Sequence, residues 1–378
     1  MFKKLFGRKG RFQNSWMIIF SVALIVMGIC ETINPTSSDT VASIFSNIKI
    51  VFGLPIVILG AIGLISTIAI LVLEHKKIEF KNLSTIKKII YYVLFVLVLI
   101  YFIEYVILGI VRSFILASEY TKIPEKELFF VSTAWLLINN GKDYLNGILV
   151  TLSISLLGTI IGLIFGLLLA MLRVQKVSDK DSEVKAFFKK LGLYFSKGYI
   201  GLFRGTPMMV QAILLYYLVP FAISQATGIP MDTMNKIFTW FVSGLITVSL
   251  NTTAYLAEVL RGGIESLDQG QTEAARSLGL SYWKTMLYVI LPQALKNSMP
   301  SIGNEFVINI KDTSVLNVIS VIDIYYVATM IKGQYFRFNE PFFIAACIYL
   351  ILTFVTTRIL AFIDKKMEID EKPLPSCN

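Results

Sequence analysis

The chain has 378 residues, 55% of them hydrophobic and 16% charged, with 35 Lys and Arg against 25 Asp and Glu. A mean hydropathy of +0.70 exceeds what a soluble domain of this length needs for its core, and this excludes an ordinary soluble enzyme or binding module. The net charge of +10 is gathered in particular loops rather than along one soluble face, so it reports membrane topology and not nucleic-acid binding.

Apolar runs near the ~20 residues that cross a bilayer as a helix recur along the chain, and no ten-residue alternation of the barrel kind appears. The predicted fold class is all-α, a polytopic membrane helix bundle. In chain order the predicted spans are residues 16–33, 48–73, 89–117, 144–172, 206–224, 237–259, 294–310 and 341–363. The first follows a basic start without a small-x-small cleavage site, so it reads as an uncleaved span and not a signal peptide. The second and third exceed one crossing and must tilt or reach into the interface. Five Lys or Arg fall in residues 1–11, five in 74–88 and seven in 173–203, against none in 34–47 and one in 225–236. By the positive-inside rule the N-terminus, the loops 74–88, 173–203 and 261–290, and the C-terminal tail are cytoplasmic. Eight spans fit that parity.

Residues 1–143 form a predicted extension of three spans, whose Glu104 should face protein or water. Cys30, Cys347, Cys377 and His75 share no metal-ligand spacing, and nothing suggests a haem or a catalytic nucleophile. From residue 144 small and polar residues enter the spans. Gly158, Gly162 and Gly166 repeat every four residues and make one smooth helix stripe, for a contact between subunits or within the chain. In "RGTP", residues 204–207, the Thr206 hydroxyl is expected to cap a helix with Pro207 in its first turn, and Arg204 on its cytoplasmic side. One turn on, Gln211 must face the bundle interior or a cavity. "NTTAYLAEVLRGG" sets Asn251, Thr252, Thr253 and Tyr255 in mid-span, where they need interhelical partners or a wet substrate path. Glu258 and Arg261, three apart, form an interfacial ion pair. At the outer end of a span, Lys311, Asp312, Thr313 and Ser314 are a solvated turn or a receiver for a substrate ammonium group.

The stretch "QTEAARSLGLSYWK", residues 271–284, reads as a short helix, a left-handed glycine stop at Gly279 and a second helix capped by Ser281. Glu273 suits the first helix's N-terminal dipole. Ala274 and Ala275 leave the helix bare, and Leu278 and Leu280 can anchor it in another protein's groove.

"EAARSLGLSYWKTMLYVILPQAL" resembles the EAA loop of the membrane subunits of ATP-binding-cassette (ABC) importers. "LFRGTPMMVQ", "AYLAEVLRGGIESLDQGQTEAA", "LPQAL" and "KDTSVL" are similar to their polar amino acid permease family, from about Gly147 to Ala361. The resemblance implies a type I permease core of five helices over 144–363, with the coupling loop at 261–292 and a cytoplasmic tail at 364–378. It implies pairing with a second copy or sister permease, with cytoplasmic ATPases that hold the ATP and Mg, and with an extracytoplasmic substrate-binding protein. This chain would then bind no cofactor and catalyse no hydrolysis; it has no phosphate-binding loop. Glu273, Ala274, Ala275, Leu278, Gly279 and Leu280 would couple to the ATPase. Gln211, Asn251, Thr252, Thr253, Tyr255, Asp312, Thr313 and Ser314 would line the path of a polar amino acid across the bacterial cytoplasmic membrane. Two features depart from the family pattern: the added three-span region, and Thr253 where a glycine is expected. The rival expectations are an ion-gradient-driven transporter using Glu104 or Glu305, and a membrane scaffold.

Overall fold

A computed structural model describes residues 17–26, 57–70, 83–102, 107–175, 177–178 and 181–369, and every regular element among them is helical. Glu104, Cys30, Cys377, His75 and the tail beyond Ile369 lie outside the described residues. The chain divides into two units, Met1–Glu119 and Tyr120–Asn378.

The first unit contains α1 (Met17–Val26), α2 (Val57–Ile70), α3 (Leu83–Phe102) and α4 (Gly109–Glu119). Glycines let α2 approach α1 closely: a Cβ on Gly63 would lie 2.9 Å from Ser21 Oγ, and one on Gly60 3.0 Å from the Ser21 carbonyl. Met17, Phe20, Leu24, Ile70 and Leu94 fill the space between α1, α2 and α3. Ser21 donates to the Met17 carbonyl at 2.7 Å, so its hydroxyl is satisfied inside its own helix.

The second unit contains α5 (Phe129–Val174), α6 (Glu183–Gly205), α7 (Met208–Thr227), α8 (Met231–Ile237), α9 (Trp240–Glu265) and α10 (Gln269–Ser277). It ends with α11 (Tyr282–Ile319), α12 (Ile324–Tyr335) and α13 (Asn339–Ile369). Counting α8–α9 (bent 61°) and α11–α12 (bent 48°) as one span each, five spans arise. They correspond to the five expected from residue 144 onward.

Two boundaries differ from the sequence reading. Residues 120–143, assigned by sequence to the N-terminal extension, fold with the second unit because α5 starts at Phe129 and bends at Asn140. Trp135 Nε1 donates to the Tyr120 carbonyl at 2.9 Å, Arg337 donates to the Pro124 carbonyl, and the Trp135 ring meets Tyr335 edge-on. The second difference is α6, read as part of a cytoplasmic loop. Its latter half lies along the spans: Gly192 is against Leu172, Ser196 Oγ donates to the Leu169 carbonyl at 3.2 Å, and Tyr199 OH donates to the Leu250 carbonyl at 2.9 Å. Ile200 packs with Leu169, Ala254 and Ala257.

Pro220, Pro292 and Pro300 sit within continuous helical runs. Pro220 and Pro292 each follow a π-turn, Leu214–Leu218 and Met286–Ile290, closed by Val219 N–H to the Leu214 carbonyl and Leu291 N–H to the Met286 carbonyl. A wider turn makes room for a ring that would otherwise crowd the carbonyl four residues back.

The seam between α5 and α9 organises the second unit. An added Cβ on Gly158 would lie 2.6 Å from Val248 Cγ1, on Gly162 2.7 Å from Thr252 Cγ2, and on Gly166 3.1 Å from the Ala257 nitrogen. The glycine stripe therefore packs within this chain. Beside it, buried Asn309 of α11 donates through Nδ2 to Thr159 Oγ1 at 2.9 Å and to Thr252 Oγ1 at 3.0 Å. Three helices are tied at one buried point.

Replacing Gly162 by Val should destabilise the fold by roughly 1–3 kcal/mol through overpacking. Gly262, whose added Cβ meets nothing, should accept Ala with a gain of about 0.5–1 kcal/mol. Asn309→Leu should cost roughly 1–2 kcal/mol, the scale of interhelical hydrogen bonds in membranes. Thermal unfolding in detergent, followed by circular dichroism, measures all three.

Candidate translocation path and coupling surface

The polar residues of α9 separate onto two faces. Thr252 and Thr253 point inward: Thr252 meets Asn309, and Thr253 Oγ1 donates to the Ser249 carbonyl at 2.7 Å. Asn251 and Tyr255 lie on the face that the rest of the second unit leaves open. Asn251 is 11 residues from Trp240 and 14 from Glu265, about 17 and 21 Å along the axis at ~1.5 Å per residue, so this face is polar at mid-span.

Gln211 is drawn to the same level by the break between α6 and α7. Its Nε2 donates to the Phe203 carbonyl at 2.9 Å, the Thr206 carbonyl at 3.0 Å and Thr206 Oγ1 at 2.9 Å. Thr206 does not cap α7 as expected, because its hydroxyl turns back to the Leu202 carbonyl at 2.9 Å. The Gln211 amide instead donates to the carbonyls left free where α6 ends. Asn251 Nδ2 donates to Gln211 Oε1 and to the Phe203 carbonyl, both at 3.3 Å. Two predicted path residues from different spans are thus in direct contact.

Arg204, read from sequence as a marker of the cytoplasmic side, belongs to this mid-span belt. Its guanidinium lies 5.1 Å from the Tyr255 ring centroid, a cation–π distance. Glu305 is buried on α11, four residues before Asn309. Asp312 ends the α-helical part of α11, which tightens into a 3-10 turn over Thr313–Ile319. Thr313 is buried and donates to the Ile310 carbonyl at 3.0 Å; Ser314 donates to the Lys311 carbonyl at 2.7 Å. Of the predicted path residues, Thr252, Thr253 and Thr313 are engaged in holding helices. Gln211 is buried as well, while Asn251, Tyr255, Asp312 and Ser314 are at least partly accessible. Sequence reasoning missed Asn309, although its four-residue spacing from Glu305 in "GNEFVINIKD" places both on neighbouring turns.

Toward the end of α9 the expected Glu258–Arg261 pair is part of a longer chain of charges. Glu258 receives Arg261 Nε at 3.0 Å and Nη2 at 2.9 Å, and also pairs with Arg173 of α5, while Arg261 pairs with Glu265. This chain links α5 to α9 just before the coupling loop.

The loop itself folds as its residues dictate. Asp268 caps α10, its Oδ1 accepting from Gly270 N–H at 2.8 Å, a residue the sequence reading did not single out. Gly279 takes φ +86°, and its N–H donates to the Arg276 carbonyl at 3.0 Å; Ser281 caps the next helix by accepting from Lys284 N–H. The two alanines do not act alike. Ala275 is buried, whereas Ala274 and Glu273 are exposed. Leu278 is 84% exposed, an uncovered apolar side chain at the tip of the loop. Beneath it Ile264, Met286, Ile290 and Ala294 form a buried cluster with Leu267 and Met171, so the tip is mounted on α9, α11 and α5.

Residues 185–369 match the family of binding-protein-dependent transport system inner membrane components. The putative glutamine transport system permease protein GlnP of Rickettsia felis is 34% identical over 224 residues, 59% of this chain and 92% of that protein. The glutamine transport system permease protein GlnP of Escherichia coli is 37% identical over 171 residues, 45% of this chain and 74% of that protein. A crystal structure of an amino acid ABC transporter with histidines superposes with a TM-score of 0.51 at 31% identity, covering 61% of this chain and 96% of that one. With its five spans, capped coupling loop and mid-span polar belt, the chain belongs to the ABC importer permeases, in the polar amino acid permease family.

Proposed function

We propose that this permease carries a polar amino acid, of the glutamine class named for its relatives, through the open face of α9. The contact between Gln211 and Asn251 across two helices, beside Arg204 over the Tyr255 ring, carries this reading. A zwitterion needs donors for its carboxylate and acceptors for its ammonium group. Arg204 supplies the donor, and Asp312, at the end of the α-helical part of α11, supplies negative potential. Gln211 and Asn251 offer neutral polar contacts, and Ser314 lies next to Asp312 at the mouth. Burying such groups in a membrane is costly unless they face protein or water, which favours a path over a lipid-facing surface.

In this reading the open face is completed by a second copy or a sister permease. An extracytoplasmic protein delivers the substrate, and cytoplasmic ATPase subunits hold the ATP and Mg²⁺. The loop 261–292 lies in the cytoplasm, with both termini on that side of the bacterial inner membrane, as the distribution of Lys and Arg favours. Leu278 enters a groove of the ATPase, with Leu280 behind it, Glu273 and Ala274 on the exposed surface of α10, and Ala275 fastening α10 to its base. ATPase closure then moves α10 as a rigid piece, and the cluster beneath it passes that movement to α9 and α11.

Reconstitution with the ATPase and binding protein, assayed with a panel of amino acids, tests both parts. Arg204→Gln and Asp312→Asn should each lower uptake at least tenfold, as the loss of a charged hydrogen bond of about 1.5–3 kcal/mol implies. Unchanged uptake in both removes the path assignment. Glu273→Lys and Gly279→Pro should abolish ATP-driven uptake while membrane levels stay normal; normal uptake together with normal ATPase copurification would refute the coupling role.

A further inference from the structure

The sequence reading absorbed the basic residues of α6 into topology, yet α6 sets them in an ordered pattern. Its inward side, at Gly192, Ser196 and Ile200, meets α5 and α9. On a different side Phe187, Leu191 and Phe195 recur every four residues and are all more than half exposed. Adjoining them, Lys190, Tyr194 and Lys197 follow at spacings of four and three, a second stripe on one helix face. Both lysines are exposed, and no acidic partner is recorded for either among the described residues. Gly192 lies at the level of Leu172, two residues from the end of α5 at Val174. The two stripes therefore straddle the end of the membrane-spanning part of α5.

We propose that this face of α6 holds an anionic phospholipid of the cytoplasmic leaflet. The phosphate-bearing headgroup sits between Lys190 and Lys197, with the Tyr194 hydroxyl as a further donor. The acyl chains lie along Leu191 and Phe195, on the membrane side of Lys190, because α6 runs inward from Gly192 beside Leu172 to Ser196 beside Leu169. Charge complementarity selects this occupant: an apolar stripe alone would fit any hydrocarbon or helix, whereas two unpaired ammonium groups beside it, at headgroup depth, match an anionic lipid. Long lysine stems can reach the interface from slightly below it. The inference rests on the cytoplasmic orientation proposed above and on no step of transport.

The test uses the purified full-length chain in detergent, titrated separately with phosphatidylglycerol and phosphatidylcholine, with retained lipid read by native mass spectrometry. The wild type should prefer phosphatidylglycerol, and Lys190→Gln with Lys197→Gln together should reduce that preference roughly 30-fold, the ratio expected for two lysines near an anionic surface. Lys190→Arg with Lys197→Arg should keep it, and Lys236→Gln, on α8, should leave it unchanged. An absent preference in the wild type, or an equal one in the glutamine variant at unchanged thermal stability, overturns the proposal. So does a disulfide between Lys197→Cys residues of two copies in a background without the native cysteines, which would show that a second permease covers this face. Neither substrate nor ATP enters the measurement, so a negative result leaves the transport reading intact.

Discussion

The close approach of α5 and α9 is the constraint on which the second unit depends. Inside a bilayer, apolar side chains gain little by leaving lipid for protein, so helices associate through packing and interhelical hydrogen bonds. Gly158, Gly162 and Gly166 remove the side chains that would hold the two backbones apart, and Val248, Thr252 and Ala257 occupy the vacated space. Only at that separation do Thr159 and Thr252 come within reach of the same Asn309 amide. The glycines and the polar clasp are two parts of one joint, which brings α11 to the pair.

That joint also sorts the polar residues of α9. A helix turns ~100° per residue, so the polar positions 251, 252, 253 and 255 cannot all share a face. With Thr252 fixed inward by Asn309, Asn251 and Tyr255 are carried to the open side, where Gln211 and Arg204 meet them. The break at Gly205–Pro207 has a matching role. It exposes carbonyls of α6 at mid-span, and the Gln211 amide that satisfies them is held beside Asn251. Local polar repair of a broken helix and construction of a polar belt are therefore the same event.

The coupling loop follows the opposite design, with a rigid base and an uncovered tip. Asp268 and Ser281 cap its two helices, and Gly279 supplies the left-handed residue between them. Ala275 of α10 is buried, while Leu278 is uncovered among the described residues. The ion chain from Arg173 through Glu258 to Arg261 and Glu265 joins α5 to the same base. The base of the loop and the joint at Asn309 are thus carried by the same helices, α5, α9 and α11.

By itself the sequence determined the features that depend on local chemistry. The number and order of the spans from residue 144 onward followed from hydropathy, the stop at Gly279 and the cap at Ser281 from backbone preferences, and the family from motifs contiguous in the chain. Tertiary structure decided everything that depends on which side of a helix meets which neighbour. It settled the glycine stripe as a contact within the chain and moved Arg204 from an interfacial marker to the polar belt. It assigned residues 120–143 to the second unit, and it divided Thr252 and Thr253 from Asn251 and Tyr255. The physical reason is that a mid-span polar residue requires a partner but does not name one. Asn309, 57 residues from Thr252 and 150 from Thr159, becomes that partner only once the packed glycines have set the distance.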